Sequence, residues 1–165
     1  MSQSSECALE EKVGQLLVEQ GLTLALAESC TGGLIGHRIT NVPGSSDYFI
    51  GGVVAYAYAA KERVLGVSHD TLYDHGAVSE QTALEMARGA RRLLMTDVAL
   101  AVTGIAGPGG GMPEKPVGLA YIALSARDAE RCERYVWPHD RAGNKAASSD
   151  AALTLLVEYL EGRLA

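Results

Sequence analysis

The stretch Leu22-Thr23-Leu24-Ala25-Leu26-Ala27-Glu28-Ser29-Cys30-Thr31-Gly32-Gly33 joins a mostly apolar run to a polar turn. The run at 22–27 is short and is bounded by turn residues, which predicts a buried β-strand. The run breaks at Glu28-Ser29, and Thr31-Gly32-Gly33 then leads into apolar residues at helical spacing around Ile35. A strand followed by a turn and a helix is typical of a layered α/β protein.

The same alternation extends on both sides of this stretch. Apolar residues at helical spacing predict a helix from about residue 9 that stops at Gly21, and Ser79 is a suitable N-cap for a helix that runs to about Leu94. The remaining patterns predict strands at 49–58, 98–102, 117–125 and 131–137, and helices at 59–65 and 142–164. We therefore expect one α/β domain over 1–165, three-layer-like, with a mixed, mostly parallel sheet flanked by helices and an antiparallel last pair of strands.

Composition and charge exclude several classes of protein. The 165 residues are 47% hydrophobic and 21% charged, which excludes a disordered chain because ample apolar surface is available for burial. The net charge of −6 argues against direct nucleic-acid binding, which normally needs a basic patch. Arg88, Arg91 and Arg92 form the one basic cluster, and we interpret them as a solvated helix face rather than a nucleic-acid site.

The N-terminus and the cysteines bear on cellular location. The first six residues lack the basic-then-apolar pattern of a signal peptide, and no stretch approaches the roughly 18 apolar residues that span a bilayer. These features predict a soluble, cytoplasmic protein with no membrane contact. Cys7, Cys30 and Cys132 are odd in number and widely spaced, which predicts reduced thiols and no zinc site.

Three polar or glycine-rich segments leave predicted strand ends, at 28–33, 56–61 and 103–111. Because ligands in open α/β sheets bind beyond the carboxyl ends of the strands, we expect these segments to converge on one cleft. The glycine-rich run at 104–111 completes no phosphate-loop template, so it predicts either a loop that closes over a small substrate or a plain flexible loop. Arg141 has forked donors that suit a phosphate monoester, although a surface salt bridge is the alternative.

Candidate catalytic groups lie in the first two segments. Ser29, Cys30 and Thr31 all have nucleophilic potential, beside N–H groups of a helix start that can stabilise an oxyanion. The alternative is that Ser29 or Thr31 only caps the helix. None of the four histidines falls in the three segments, so Lys61 is the candidate base, with Tyr56 to relay a proton or orient the lysine. The alternatives are a solvated lysine and an ordinary packed tyrosine.

Five motifs in order along the chain carry a family resemblance. They are Ala-Glu-Ser-Cys-Thr-Gly-Gly at 27–33, Val-Pro-Gly-Ser-Ser at 42–46, His-Gly-Ala-Val-Ser-Glu at 75–80, Thr-Gly-Ile-Ala-Gly-Pro at 103–108 and Glu-Lys-Pro-Val-Gly at 114–118. Together they resemble the CinA C-terminal domain over about residues 8–162. Stand-alone members of that family are nicotinamide-nucleotide amidohydrolases, so the resemblance implies hydrolysis of the carboxamide of nicotinamide mononucleotide to nicotinate mononucleotide and ammonia.

The resemblance also implies roles for individual residues. It implies Ser29 as nucleophile of an acyl-enzyme mechanism, Lys61 as base and Tyr56 nearby. It implies a substrate site lined by Thr31, Gly32, Gly33, Thr103 and Gly104, with Arg141 as a phosphate ligand. The expected partner is a small pyridine nucleotide, with no metal and no cofactor. The family and the frequency of two-fold oligomers suggest a homodimer.

Some positions depart from the family pattern. The family commonly has Tyr-Ser-Asn where this chain has Tyr56-Ala57-Tyr58, and it has glycine and arginine where His139 and Lys145 stand. These changes leave the implied catalytic residues intact but predict altered substrate fit or lysine position. Two alternatives therefore stay open. The first is a non-catalytic nucleotide-binding or competence/damage-associated domain of the same fold, and the second is hydrolysis of another carboxamide.

Overall fold

The computed structural model describes residues 7–164, which are organised around a five-stranded sheet of order β2-β1-β3-β4-β5. The first six residues, on which the expectation of no signal peptide rests, lie outside the described part. The strands are β1 (Leu24–Glu28), β2 (Phe49–Val54), β3 (Val98–Gly104), β4 (Leu119–Ala126) and β5 (Glu130–Val136). The helices are α1 (Leu9–Gln20), α2 (Leu34–Thr40), α3 (Tyr58–Leu65), α4 (His69–His75), α5 (Glu80–Leu94) and α6 (Arg141–Leu160), with a 3-10 turn at Ser45–Asp47.

The sheet is mixed. β1 lies between β2 and β3 and pairs with both in parallel, whereas β4 pairs antiparallel with β3 and with β5. Four of the five strands consequently point the same way, while the pairings divide equally between parallel and antiparallel. The α/β class and the antiparallel last pair are confirmed. The carboxyl ends of β1, β2 and β3 meet at one edge of the sheet, where the three polar segments follow them.

Helices cover both faces of the sheet, which confirms three layers. Leu24 and Leu26 of β1 belong to a core with α1, α2 and α6, whereas Ala25 and Ala27 face a core with α3, α4 and α5. Small side chains on the second face suit close packing between layers. Gly89 of α5 shows how close the helices come, since a Cβ there would lie 1.9 Å from the carbonyl oxygen of Leu65.

Several predicted boundaries are wrong for identifiable reasons. The second strand ends at Val54 rather than at 58, because the chain turns at 55–57 to begin α3 at Tyr58. Leu22 does not start the first strand, since its N–H donates to the Leu17 carbonyl and closes α1. The last helix ends at Leu160, where a tight turn with Gly162 at φ 71° stops it.

A short helix was not predicted at all. α4 carries one buried side chain, Leu72, among polar residues, so its sequence has no apolar periodicity. Across residues 7–164, no helix is both long and apolar enough to cross a membrane. The same range holds no group of three or more His, Cys, Asp or Glu side chains placed to bind a metal ion.

Candidate active site

Ser29 and Lys61 lie in contact at the carboxyl edge of the sheet. Ser29 follows directly after β1, and Lys61 lies in the second turn of α3, which begins after the neighbouring strand β2. The Lys61 Nζ is 3.0 Å from the Ser29 Oγ, and both side chains are buried, with exposed fractions of 1% and 7%. The topology therefore joins two residues that are 32 positions apart in the sequence.

The surroundings of Lys61 destabilise its protonated form relative to a lysine in water. Its Nζ donates to the carbonyl oxygens of Ala55 at 2.8 Å and Tyr56 at 3.1 Å, and no carboxylate pairs with it within the described chain. Burial lowers the pKa of the Lys61 ammonium from 10.5 to about 8. A neutral amine has two N–H donors and one lone pair. When the amine is neutral and both donors bind the two carbonyls, its lone pair is left to accept from the Ser29 hydroxyl, as a general base requires.

Glu28 organises the turn that holds Ser29. Its carboxylate is buried and accepts three hydrogen bonds, from the Thr31 hydroxyl at 2.7 Å, the Ile35 N–H at 2.9 Å and the Gly36 N–H at 3.0 Å. The last two are N–H groups of the first turn of α2, which otherwise have no partner within the helix. Glu28 thus satisfies the start of α2, and the alternative that Ser29 or Thr31 caps this helix is wrong.

The turn leaves backbone donors available beside Ser29. The Ser29 N–H donates to the Val102 carbonyl at 2.9 Å, and the Gly32 N–H donates to the Ser29 carbonyl at 3.1 Å. Within residues 7–164, the N–H groups of Thr31 and Gly33 have no acceptor. Free N–H groups at a helix start can stabilise an oxyanion.

Cys30 is buried against the third segment. Burial raises the pKa of its thiol to about 11, so the reactive thiolate is disfavoured at neutral pH. A Cβ at Gly104 would lie 2.7 Å from the Leu119 carbonyl oxygen and 3.1 Å from the Cys30 Sγ, so only glycine fits this junction. Thr103 is also buried, and its hydroxyl donates to the Ala77 carbonyl at 2.7 Å. The substrate contacts predicted for Thr103 and Gly104 stay predictions.

Arg141 and Tyr56 connect the Ser29–Lys61 pair to an open cleft. Arg141 donates from Nη1 to the Gly107 carbonyl at 2.7 Å and from Nη2 to the Tyr56 hydroxyl at 3.2 Å. The Tyr56 carbonyl in turn accepts from Lys61. Tyr56 is 61% exposed, so the alternative of ordinary aromatic packing does not describe it.

The cleft has a volume of about 680 Å³. It is lined by Ala106, Pro108, Val117, His139, Asp140, Arg141, Ala142 and Lys145. The glycine-rich segment thus supplies one wall and the start of α6 supplies the other. The Lys145 ammonium reaches toward the Ser29 turn, since a Cβ at Gly32 would lie 3.9 Å from its Nζ.

Asn144 is a second site-shaping residue, besides Glu28, that sequence reasoning missed. It is buried, donates to the Ala106 carbonyl at 2.9 Å and accepts from the His139 N–H at 3.0 Å, so it ties both walls of the cleft together. No sequence pattern marks Asn144. Glu28, by contrast, is the only charged residue between positions 21 and 36, and a lone charge there was a usable signal.

Tyr58, one of the departures from the family pattern, contacts Tyr73 of α4 and the backbone of Ala77. The Tyr58 hydroxyl accepts from the Ala77 N–H at 3.3 Å, and its ring packs edge-on against Tyr73 with centroids 6.1 Å apart. Lys61, three residues further along α3, contacts Ser29 in this chain, which carries the substitution. The predicted change of substrate fit or lysine position stays a prediction.

Comparisons with known proteins agree with this fold. The family model for the CinA C-terminal domain matches residues 6–160. A CinA-like protein of Chlorobaculum tepidum is 50% identical over 163 residues, covering 96% of this chain and 38% of that protein. The chain thus spans well under half of the length of such relatives, and a Salinibacter ruber CinA-like protein shows the same, with 36% covered at 47% identity.

Solved structures are similar over nearly their whole length. The competence/damage inducible protein CihA from Agrobacterium tumefaciens has a TM-score of 0.87 at 41% identity, covering 98% of this chain and 99% of that one. A competence-damaged protein (CinA) superfamily protein from Klebsiella pneumoniae has a TM-score of 0.90 at 33% identity, with 93% and 96% covered. With the ordered motifs and the shared fold, these matches show that the chain belongs to the CinA C-terminal domain family.

Proposed function

We propose that this chain hydrolyses the carboxamide of nicotinamide mononucleotide, giving nicotinate mononucleotide and ammonia. The observation that carries the proposal is the buried Lys61 amine 3.0 Å from the Ser29 hydroxyl, with a pKa lowered to about 8 and no carboxylate partner in the described chain. A buried, unpaired lysine is costly to keep, and it is useful where a neutral amine must accept a proton.

The first half of the reaction forms an acyl-enzyme. Ser29 Oγ attacks the carboxamide carbon while its proton moves to the Lys61 amine, and the carbonyl oxygen gains negative charge. The N–H groups of Thr31 and Gly33 are available to stabilise this oxyanion. The intermediate then collapses as Lys61 returns the proton to the leaving nitrogen. Ammonia departs, and the nicotinoyl group remains as an ester on Ser29.

The second half returns the enzyme to its starting state. A water molecule gives one proton to Lys61 and attacks the ester carbon. The tetrahedral intermediate collapses, the carbon–Oγ bond breaks, and Lys61 returns the proton to Ser29. Nicotinate mononucleotide forms as the carboxylic acid and loses its acidic proton to solvent as it leaves, so atoms and charge balance without a metal or a redox partner. Each proton that Ser29, the leaving nitrogen or the attacking water exchanges passes through the same amine, which explains the need for one base close to the nucleophile.

Substrate binding is proposed on the cleft side. The ribose phosphate enters the cleft between the glycine-rich segment and the start of α6, where Arg141 retains N–H donors not used on Gly107 and Tyr56. Gly32 and Gly33 permit close approach of the ring to the turn. We propose that Tyr56 positions both Lys61 and Arg141.

A pyridine nucleotide substrate also fits the proposed cytoplasmic location, and the homodimer stays a prediction.

The direct test is an ammonia-release assay with nicotinamide mononucleotide. We expect release by the parent protein, loss in Ser29→Ala and Lys61→Ala, and after rapid quenching an added mass on Ser29 equal to nicotinate mononucleotide less one water. Activity that survives both substitutions would contradict the mechanism. An inactive parent that still binds the nucleotide would favour the non-catalytic alternative, and release from a different carboxamide alone would redirect the substrate assignment.

A further inference from the structure

Lys145 is a half-buried cation without a partner in the described chain. It lies in the second turn of α6, lines the cleft, and has no hydrogen bond or ion pair to any of residues 7–164. Its Nζ lies beside the backbone of Gly32, three residues after Ser29. Partial burial of an ammonium has a desolvation cost, which an anion bound next to it would offset.

The charge balance of the cleft depends on this residue. Arg141 and Lys145 are its basic side chains, and Asp140 is the one carboxylate among its described lining residues. Asp140 accepts from the Gly143 N–H at 2.8 Å and caps α6. The Arg141 guanidinium is already held by Gly107 and Tyr56. Lys145 therefore supplies the net positive charge of the cleft, and it is the cation free to turn toward a ligand.

Helix α6 strengthens this arrangement. Lys145 lies near its N-terminal end, where the helix dipole is positive, so the helix and the ammonium favour the same sign of ligand charge. Lysine presents a mobile point charge, whereas the tethered guanidinium has a fixed orientation. The two residues thus have different roles: Arg141 fixes the orientation of a bound anion, and the Lys145 side chain can move to contact it.

We infer that Lys145 determines specificity for carboxamide substrates that carry a phosphate, by pairing with that phosphate in the cleft. This inference rests on the proposed function for the chemistry at Ser29. A charged hydrogen bond of this kind contributes about 1.5–3 kcal/mol, or roughly a 10- to 150-fold preference for the phosphorylated substrate.

The test compares nicotinamide mononucleotide with nicotinamide riboside, which lacks the phosphate, in the parent, Lys145→Met and Lys145→Arg. Arg127→Met, in the exposed turn between β4 and β5, serves as the control for loss of one positive charge. We expect Lys145→Met to lower the ratio of kcat/KM between mononucleotide and riboside at least tenfold, mainly through KM. Lys145→Arg should restore most of the ratio. An equal fall for both substrates, or an unchanged ratio, would overturn the inference.

A binding measurement separates this inference from the proposed function. Calorimetry on Ser29→Ala compares the Kd of the mononucleotide and the riboside, with and without Lys145→Met. A phosphate preference that disappears with Lys145→Met supports the inference even if the parent hydrolyses neither compound. Absence of any phosphate preference, or a preference that Lys145→Met leaves in place, overturns it.

Discussion

Two neighbouring strand-to-helix turns meet at the Ser29–Lys61 pair, and each is held by one buried ionisable side chain, Glu28 at the end of β1 and Lys61 in α3. In the turn from β1 to α2, Glu28 accepts from one hydroxyl and two helix N–H groups. In the turn from β2 to α3, Lys61 meets two carbonyl oxygens and the Ser29 hydroxyl. The first helix start is thus satisfied by a side chain, whereas the N-cap of α3, Ala57, makes no side-chain hydrogen bond.

The two side chains have different effects, since Glu28 makes the backbone rigid and Lys61 supplies a reactive amine. Glu28 is an acceptor surrounded by donors, so its environment fixes the backbone on which Ser29 stands. Lys61 is a cation surrounded by uncharged dipoles, so its environment destabilises the protonated form and lowers the pKa. We infer that the first turn holds the nucleophile in place and the second turn tunes the base. Substitutions that alter one turn at a time should therefore separate the two roles.

The largest effect is expected from Lys61→Met, which keeps the length and apolar character of the side chain but removes the base. The rate of ammonia release should fall by about 10²- to 10⁴-fold, the usual contribution of general base catalysis. Thermal unfolding should show that the variant folds. Lys12→Met is the matched control, since Lys12 is a partly exposed residue paired with Glu161 at the surface. Equal losses in both variants would contradict a specific role for Lys61.

A smaller effect is expected from Glu28→Gln in the first turn. The amide has one acceptor oxygen where the carboxylate has two, so a buried donor loses its partner and the free energy of unfolding should fall by about 1–3 kcal/mol. Displacement of Ser29 should lower kcat by roughly ten- to a hundredfold, with less change in KM.

Urea unfolding and steady-state kinetics measure both effects of Glu28→Gln. Glu62→Gln, on α3 beside the exposed His69, is the control for the same chemical change at the surface. If Glu28→Gln lowered stability without changing kcat, Glu28 would support the fold but not the placement of the nucleophile.

The smallest effect is expected from a cap added to the second turn. Ala57 is exposed and has extended backbone angles, as an N-cap requires. Ala57→Thr should raise the free energy of unfolding by about 0.5–2 kcal/mol through a hydrogen bond to α3, with little change in kcat. Ala57→Val, which has the same shape without the hydroxyl, should not. Equal stability of the two variants would show that α3 needs no cap.

The sequence predicted those parts of the fold that local chemistry determines. Ser79 accepts from the Thr82 N–H as the N-cap of α5, and Gly21 ends α1 in the left-handed conformation, both as the sequence indicated. The predicted end of β2 was wrong because residues 55–57 are uncharged, like the strand residues before them, and so give no sign of a turn. Its turn is set by Lys61, whose amine binds the carbonyl oxygens there. Such a contact depends on tertiary structure and leaves no local pattern.

The candidate site was also predictable only in part, since some of its features follow from local sequence patterns and others depend on tertiary contacts. Ser29 and Lys61 were both singled out, because each follows a predicted strand of one sheet and such ends converge. The sequence could not predict the distance between Ser29 and Lys61, the burial of the lysine or the role of Glu28, because all three depend on tertiary contacts. Arg141 was predicted as a phosphate ligand, with a surface salt bridge as the alternative, and the structure shows two of its donors bound to the Gly107 carbonyl and the Tyr56 hydroxyl. The free ammonium of Lys145 emerges only when the partners of both residues are known.

The most direct test of the account is the pH dependence of kcat/KM for nicotinamide mononucleotide. If neutral Lys61 is the base, kcat/KM rises about tenfold per pH unit on the acid side, because protonated amine cannot accept the Ser29 proton, and levels off above the pKa of the free enzyme. That pKa should be near 8, as burial of Lys61 indicates. A profile that is flat through this range in the parent protein would show that the neutral amine of Lys61 is not the base.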